Sequence, residues 1–259
     1  MTTMRRIQNE PAWLLHHRPF RDSSRILEVL SREHGRLSLV ARGSRSAGSR
    51  LKGILRPFMP LELSWVMRSE LGTLTGAEVH GAPVTLRGDA LLAAYYLNEL
   101  LLNLLHRHDP QPEVFDAYAA TMRSLARDGN VAARLREFEL ALLRILGYEL
   151  NLDRDAESRE TLVAEEHYEY RIEQGPVRTA RTRGGLVFSG EVLAAIGARS
   201  FDRPEVLLGA GRLLKRVIAF HLDGRELKTR KVLRELRRAP RIKDNAGSDG
   251  QSGSTGKRR

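Results

Sequence analysis

The sequence predicts an α+β protein, with a strand-rich, basic first third and a mainly helical remainder. Three observations carry this. In the first third, apolar residues alternate with polar ones in short runs broken by glycine and proline, the period of strands with one buried face. From Asp89 onward the apolar spacing changes to three and four, the period of a helix packed on one side. The formal charge of +11 is also unevenly placed. Residues 1–60 hold 12 Lys+Arg against 4 Asp+Glu and residues 212–243 hold 12 against 3, whereas residues 61–211 hold 16 against 23.

Ala12-Trp13-Leu14-Leu15 opens the strand series. Arg25–Leu30 and Arg36–Ala41 are β-friendly runs, and Gly35 lies between them where a turn is needed. Leu37 and Leu39 alternate with polar neighbours, as do Leu61, Leu63 and Trp65, while Pro57 and Pro60 interrupt the path to the last run. Several short strands with turn signals point to a small barrel or sandwich. Arg42–Lys52 reads RGSRSAGSRLK, a composition that predicts a mobile, charge-bearing connection.

The first helix carries a stripe of Leu91, Leu92, Tyr95, Leu97, Leu101, Leu102 and Leu105, with Asp89 as its expected N-terminal cap. A second helix is expected over Glu113–Arg127, stopping near Gly129. A third is expected over Val131–Leu146, with Phe138, Leu142 and Ile145 on one face and Gly147 as its stop. Leu162–Val187 is polar, with Tyr168 and Tyr170 alternating, and predicts a small strand pair or loop. Helices resume near Glu191, Pro204 and Lys228. The division expected is a barrel domain over 1–85, then a helical domain over 86–243 with a small irregular or β segment near 150–190. A disordered tail over 244–259 follows, too poor in apolar residues to fold.

A hydrophobic content of 41% and a charged content of 29% are those of a soluble globular chain. No apolar run approaches the roughly 20 residues that span a bilayer, and Met1–Glu10 lacks the apolar core of a signal peptide. With 0 cysteines there is neither a disulfide framework nor a thiolate metal site. These features fit a cytoplasmic, nucleoid-associated protein. There is no G-x-S-x-G elbow and no H-E-x-x-H. Gly256-Lys257 is followed by Arg258 where a phosphate loop needs Ser or Thr. His16-His17 and His106-Arg107-His108 lack companion ligands, so no metal and no cofactor is expected. Asp153 and Asp155 read as a solvated turn.

The arginines are the stronger lead. Two basic blocks around an acidic middle suit a polyanion, nucleic acid first among them. Arg21, Arg25, Arg42, Arg45, Arg50 and Lys52 form one candidate DNA-binding set, and Lys215, Arg216, Lys228, Arg230 and Lys231 a second. The guanidinium fork fits phosphate oxygens, and small Gly and Ser neighbours let backbone N–H groups approach them. Of the aromatics available for base stacking, Trp65 and Phe58 read as core, whereas Phe20 is open to either role. With few stackers, binding led by phosphate contacts and weak in sequence preference is expected.

Four segments carry a resemblance to a known family. Arg18-Pro19-Phe20-Arg21-Asp22-Ser23-Ser24-Arg25 leads through Gly35–Arg45 to Leu51-Lys52-Gly53-Ile54-Leu55-Arg56-Pro57-Phe58. Tyr96-Leu97-Asn98-Glu99-Leu100-Leu101, Phe138–Leu143 with Gly147-Tyr148, and Gly224–Arg230 follow in order. Together they resemble the bacterial recombination mediator family RecO over about residues 5 to 240. The resemblance implies an N-terminal OB-fold β-barrel before a mainly α-helical domain, and a protein that is not an enzyme. It implies binding to single- and double-stranded DNA, annealing of complementary strands, and loading of the RecA recombinase onto DNA coated by single-strand-binding protein. The implied partners are RecR, in some bacteria RecF, and the acidic C-terminal tail of single-strand-binding protein. For that tail, Arg123, Arg134 and Arg136 are expected to form a basic rim, with Leu97 and Leu142 in an apolar floor. Many members carry a four-cysteine zinc module where this chain has Asn151–Arg183 without cysteine, which places it among members without zinc. Two other readings compete. One is a protein-interaction adaptor with little direct DNA role, and the other a nuclease using Asp153 and Asp155.

Overall fold

A computed structural model describes residues 4–127, 129–225 and 227–229. The first five strands are β1 (Arg5–Phe20), β2 (Ser24–Ser31), β3 (Gly35–Ala41), β4 (Pro60–Met67) and β5 (Leu71–Val79), with a one-turn helix α1 (Leu51–Ile54) between β3 and β4. They close into a barrel in the order β1-β2-β3-β5-β4, the OB arrangement. All neighbours are antiparallel except β3 and β5, which run parallel through Leu39↔Gly72 and its flanking pairs. Closure there is tight. A Cβ on Gly72 would stand 2.7 Å from a Leu39 methyl, so a larger residue would force that side chain to shift. β1 pairs with both β2 and β4, and its ladder slips between Leu14 and His16 and between Ile7 and Glu10. Such bulges bend a 16-residue strand enough to serve two neighbours.

The run Ala12-Trp13-Leu14-Leu15 is apolar throughout because β1 is covered on both faces. Ala12 and Leu14 point into the barrel with Leu27, Val29, Leu37, Leu39, Leu61, Leu63 and Trp65. Trp13 and Leu15 point the other way and join the core of the helical region, as do Leu30 and Phe58.

That region begins with α2 (Gly88–Leu104), α3 (Pro112–Arg127) and α4 (Val131–Ile145). A three-stranded sheet follows, made of β6 (His167–Arg171), β7 (Gly175–Arg178) and β8 (Val187–Ser189) in the order β7-β6-β8. It ends in α5 (Gly190–Gly197) and α6 (Pro204–His221). Pro112 and Pro204 sit at helix starts, where a missing N–H costs nothing. Asn130 caps α4 by accepting from the Ala133 N–H at 3.1 Å, and Gly147 leaves it at φ +83°. No helix among the described residues is long and apolar enough to cross a membrane.

Some expectations need correction. Asp89 does not cap α2, because Arg87 holds the cap position and Asp89 lies in the first turn, where its charge suits the helix dipole. The buried arc of α2 runs through Ala93, Ala94, Tyr96, Leu97, Leu100 and Leu101, while Tyr95 is exposed. The shift follows from α2 packing on β1, α3 and α4 together rather than on one neighbour. β5 carries no clean alternation and escaped the sequence reading, since its side chains are half-buried or exposed along most of its length. Arg42–Lys52 is a chain of turns running into α1, with internal backbone hydrogen bonds and one, from Arg45 N to the Ser23 carbonyl, to the β1–β2 turn. The tail over 244–259 lies outside the described residues.

Barrel and helices share a tied joint. Asn98 Nδ2 donates to the Leu15 carbonyl at 2.8 Å and Tyr118 OH donates to Asn98 Oδ1 at 2.6 Å. Trp13 packs edge-on to Tyr118 at 5.4 Å between ring centroids. Gly35, at φ +65°, lies so close to Asp109 that a Cβ would stand 2.2 Å from its carbonyl oxygen. At the far end of the chain the Glu99 carboxylate accepts from Lys228 N at 2.7 Å, Thr229 N at 2.9 Å and Thr229 Oγ1 at 2.6 Å. Two of the four segments singled out in the sequence are thereby in direct contact.

Candidate nucleic-acid interface

The first basic block divides by its contacts. Arginines that face the helical region meet carboxylates. Arg32 forms a two-point bond to Asp116, with Nε at 3.2 Å and Nη2 at 2.9 Å. Arg36 lies 3.7 Å from Glu28 at the joint, where Glu28 also meets Arg107 at 2.9 Å. Arg21, Arg25, Arg42, Arg45, Arg50 and Lys52 gather instead on the β1–β2 turn, on β2, and on the path from β3 through α1. Among the described residues, no ion pair joins any of these six to a carboxylate. All but the half-buried Arg25 are exposed.

Backbone contacts bring part of this set together. Arg45 N donates to the Ser23 carbonyl at 2.8 Å, and Arg45 Nη1 to the Arg21 carbonyl at 3.1 Å. Arg25 pairs with Ala41 in the ladder and its Nη1 reaches the Leu55 carbonyl at 3.4 Å. Buried Ser44 folds the following turn back by donating to the Ala41 carbonyl at 2.8 Å. Arg42 follows Ala41 directly, Arg50 precedes α1 and Lys52 lies within it. The local potential is positive enough to be felt by a neighbour. Burial, then Arg25, then His16 hold the His17 imidazole below its ordinary pKa. Arg18 and Arg56, both exposed, extend the basic end and are not among the candidates that the sequence singles out.

Several arginines of the helical region contrast with this, although Arg123, Arg159, Arg199 and Arg216 are likewise in no ion pair among the described residues. Arg134, Arg136, Arg171, Arg178, Arg181 and Arg203 each form an ion pair with a nearby glutamate. Lys215 and Arg216 are exposed on α6, and Lys228 is exposed beside the Glu99 contact. Arg230 and Lys231 lie outside the described residues.

The expected rim and floor for an acidic tail are not assembled. Leu97 and Leu142 are 0% and 1% exposed, so both are core rather than the floor of a groove. Arg134 is taken by Glu137 at 2.7 Å, and Arg136 lies 2.9 Å from the fully buried Glu139, which also accepts from Tyr96 OH. Arg123 is exposed on α3 without the other two. A different surface combines apolar and charged side chains. A cleft of about 790 Å³ opens between the end of α4, the segment after it and the end of α5. Its apolar lining comes from Leu140, Leu150, Leu152, Ala194 and Ala198, and Arg144, Arg154, Arg159 and Arg199 stand around it with the acidic Glu149, Asp153 and Asp155. Arg159 and Arg199 have left-handed backbone, at φ +67° and +57°. No periodicity or spacing announces such a surface, because it is built from the ends of three segments.

Asp155 is not arranged for metal chemistry. Its carboxylate accepts from the backbone N–H groups of Glu157 at 2.8 Å, Ser158 at 2.9 Å and Arg178 at 2.8 Å. Burial opposes ionisation, yet these donors prevail and its pKa is lowered. This hub ties the 151–160 segment to β7. Among the described residues, no group of three His, Asp or Glu side chains is placed to hold a metal ion.

Family models match the chain almost end to end. The model described as Recombination protein O N terminal matches residues 4–83, and the one described as Recombination protein O C terminal matches residues 86–231. The chain belongs to the RecO family. The DNA repair protein RecO of Aromatoleum aromaticum is 43% identical over 237 residues, covering 91% of this chain and 99% of that protein. Its namesake from Dechloromonas aromatica is 41% identical over 240 residues, with 91% and 99% covered. That of Methylococcus capsulatus is 41% identical over 229 residues, with 88% and 94% covered. RecO membership makes this a DNA repair and recombination protein and agrees with the barrel-then-helices architecture. The cysteine-free 151–183 segment of this RecO chain is organised by the Asp155 hub and the β6–β7 pair.

Proposed function

We propose that the chain is a recombination mediator that binds single- and double-stranded DNA through the basic end of its barrel and anneals complementary strands. The observation that carries this reading is the set Arg21, Arg25, Arg42, Arg45, Arg50 and Lys52, exposed for the most part and without carboxylate partners among the described residues. Charges left unneutralised by the protein itself are available to phosphates, whose condensed counterions are then released. The turn holding Arg21 and Arg45 is hydrogen-bonded before any DNA arrives, which reduces the entropy lost on binding. In this reading the chain works with RecR, and in some bacteria RecF, to load RecA onto DNA coated by single-strand-binding protein. It does so without catalysing a covalent step. The acidic tail of single-strand-binding protein docks in the 790 Å³ cleft, its apolar end against Leu140, Leu150 and Leu152 and its carboxylates toward Arg159 and Arg199. The same lining carries Glu149, Asp153 and Asp155; Asp153 lies 3.8 Å from Arg154, Asp155 is held by backbone donors, and among the described residues none of the three forms an ion pair with Arg159 or Arg199.

The test is annealing of two complementary oligonucleotides, each coated with single-strand-binding protein, without ATP. Acceleration that disappears when Arg42, Arg45 and Lys52 are changed together to alanine supports the mediator. DNA binding with no acceleration favours an adaptor instead.

A further inference from the structure

A purely electrostatic interface tells an unpaired strand from a duplex only by charge density, but one side chain at the barrel end can read an unstacked base. Phe20 is the last residue of β1 and is half-buried. Phe58, Phe115, Phe138, Phe188 and Phe201 belong to the core shared by barrel and helices, whereas Phe20, and the exposed Phe220 at the end of α6, belong to neither hydrophobic core; of these two only Phe20 lies in the barrel. Its ring contact is with the next residue, the Arg21 guanidinium carbon lying 5.2 Å from the ring centroid. Arg21 has φ +52°, an uncommon backbone for arginine, and its carbonyl is held by Arg45 Nη1 at 3.1 Å. The turn is therefore fixed from a second loop, and the aromatic ring stands on it beside cations that have no carboxylate partner among the described residues.

We propose that Phe20 and Arg21 form a base-stacking platform that gives the barrel end a preference for single-stranded DNA over duplex. The inference rests on the reading of this end as a DNA interface. In a duplex each base is already stacked on its neighbours and paired, so its face is not offered. An unpaired base can leave its stack and lie on the Phe20 ring, while the Arg21 side chain moves from the ring to the adjoining phosphate. Stacking of this kind tolerates any base, since every base has a π-face.

The experiment measures affinity for an oligothymidine and for a closed hairpin duplex of equal phosphate count at several salt concentrations. The proteins are the wild-type chain, Phe20→Ala and Phe20→Trp. Phe20→Ala is expected to weaken oligothymidine binding about tenfold, leave duplex affinity within about twofold and leave both salt slopes unchanged. Phe20→Trp is expected to keep the preference and to show tryptophan quenching by oligothymidine but not by the hairpin, Trp13 and Trp65 being buried. Equal weakening of both substrates, or no change in either, overturns the platform. If the wild-type chain binds neither substrate, the DNA interface itself falls, a result distinct from failure of the platform. Phe20→Leu keeps apolar bulk without a ring face, and carries the same comparison if the alanine variant does not fold.

Discussion

The Arg45 guanidinium donates to the carbonyl oxygen of Arg21 at 3.1 Å, holding together two cations 24 positions apart in sequence. Like charges are not drawn to each other. What joins them is a backbone acceptor, and the excess charge is left to the solvent or to a ligand. Arg45→Lys separates the two roles. The charge remains, but an ammonium lacks the planar fork that serves a carbonyl and a phosphate together. DNA affinity is expected to fall about three- to tenfold with the salt slope nearly unchanged, whereas Arg45→Ala makes the slope shallower by about 0.7 on a single strand. Fluorescence anisotropy across a salt series reads both.

His17 reports the same field. Its pKa is lowered by burial, by Arg25 and by His16. Phosphates bound near Arg25 would oppose the two coulombic causes, so the His17 pKa is expected to rise when an oligonucleotide binds. Because the bound state then holds the proton more tightly, affinity should strengthen as pH falls through the His17 range. A proton NMR titration of the imidazole with and without oligonucleotide checks the sign, with His16→Gln to separate the neighbours. An unmoved or lowered pKa would place the DNA elsewhere.

Trp13 joins the two parts of the molecule, being 3% exposed and packed on Tyr118 from the outer face of the barrel. Trp13→Ala is expected to cost about 3–5 kcal/mol. Asn98→Ala would leave the Leu15 carbonyl and the buried Tyr118 hydroxyl without their partner, at about 1–3 kcal/mol for each group. Since the core is continuous across the joint, urea should unfold barrel and helices together, and either change should shift the helical and the tryptophan signals in step. Separate transitions would show the joint to be weaker than its contacts.

Much of the architecture was legible in the sequence, and for a stated reason. Leu37, Leu39, Leu61, Leu63 and Trp65 alternate because each points into one barrel interior, so period two survives in the sequence. Phe138 and Leu142 mark α4 by the same logic at period 3.6. β5 was illegible because small residues, Gly72 and Ala77, share its barrel side with Leu74, which leaves no run of large apolar residues at period two. The basic block was visible as composition, but its division was not. Arg32 and Arg36 look no different in sequence from Arg42 and Arg45. Only the fold brings Asp116 and Glu28 to the first pair and leaves the second without a carboxylate among the described residues. Leu97 and Leu142 misled because a stripe of leucine on a helix signals burial, and burial is the opposite of a docking floor.

The cleft after α4 gives a prediction independent of the barrel. Arg159→Ala with Arg199→Ala is expected to weaken binding of an acidic peptide with an apolar C-terminal residue about tenfold or more, while affinity for bare oligothymidine stays within about twofold. Isothermal titration with the peptide, beside anisotropy with the oligonucleotide, separates the two. A shared loss would mean that DNA also uses this cleft.

The central claim is that the unneutralised cations of the barrel end, and not positive charge in general, hold DNA. The most direct measurement is the salt slope of oligothymidine affinity for the wild-type chain, for the alanine variant of Arg42, Arg45 and Lys52 together, and for Arg32→Ala. The triple variant should be shallower by about 2, one increment of about 0.7 for each lost phosphate contact, and Arg32→Ala should leave the slope unchanged because Asp116 already neutralises that side chain. Equal changes in the two variants, or none in the triple, would contradict the account.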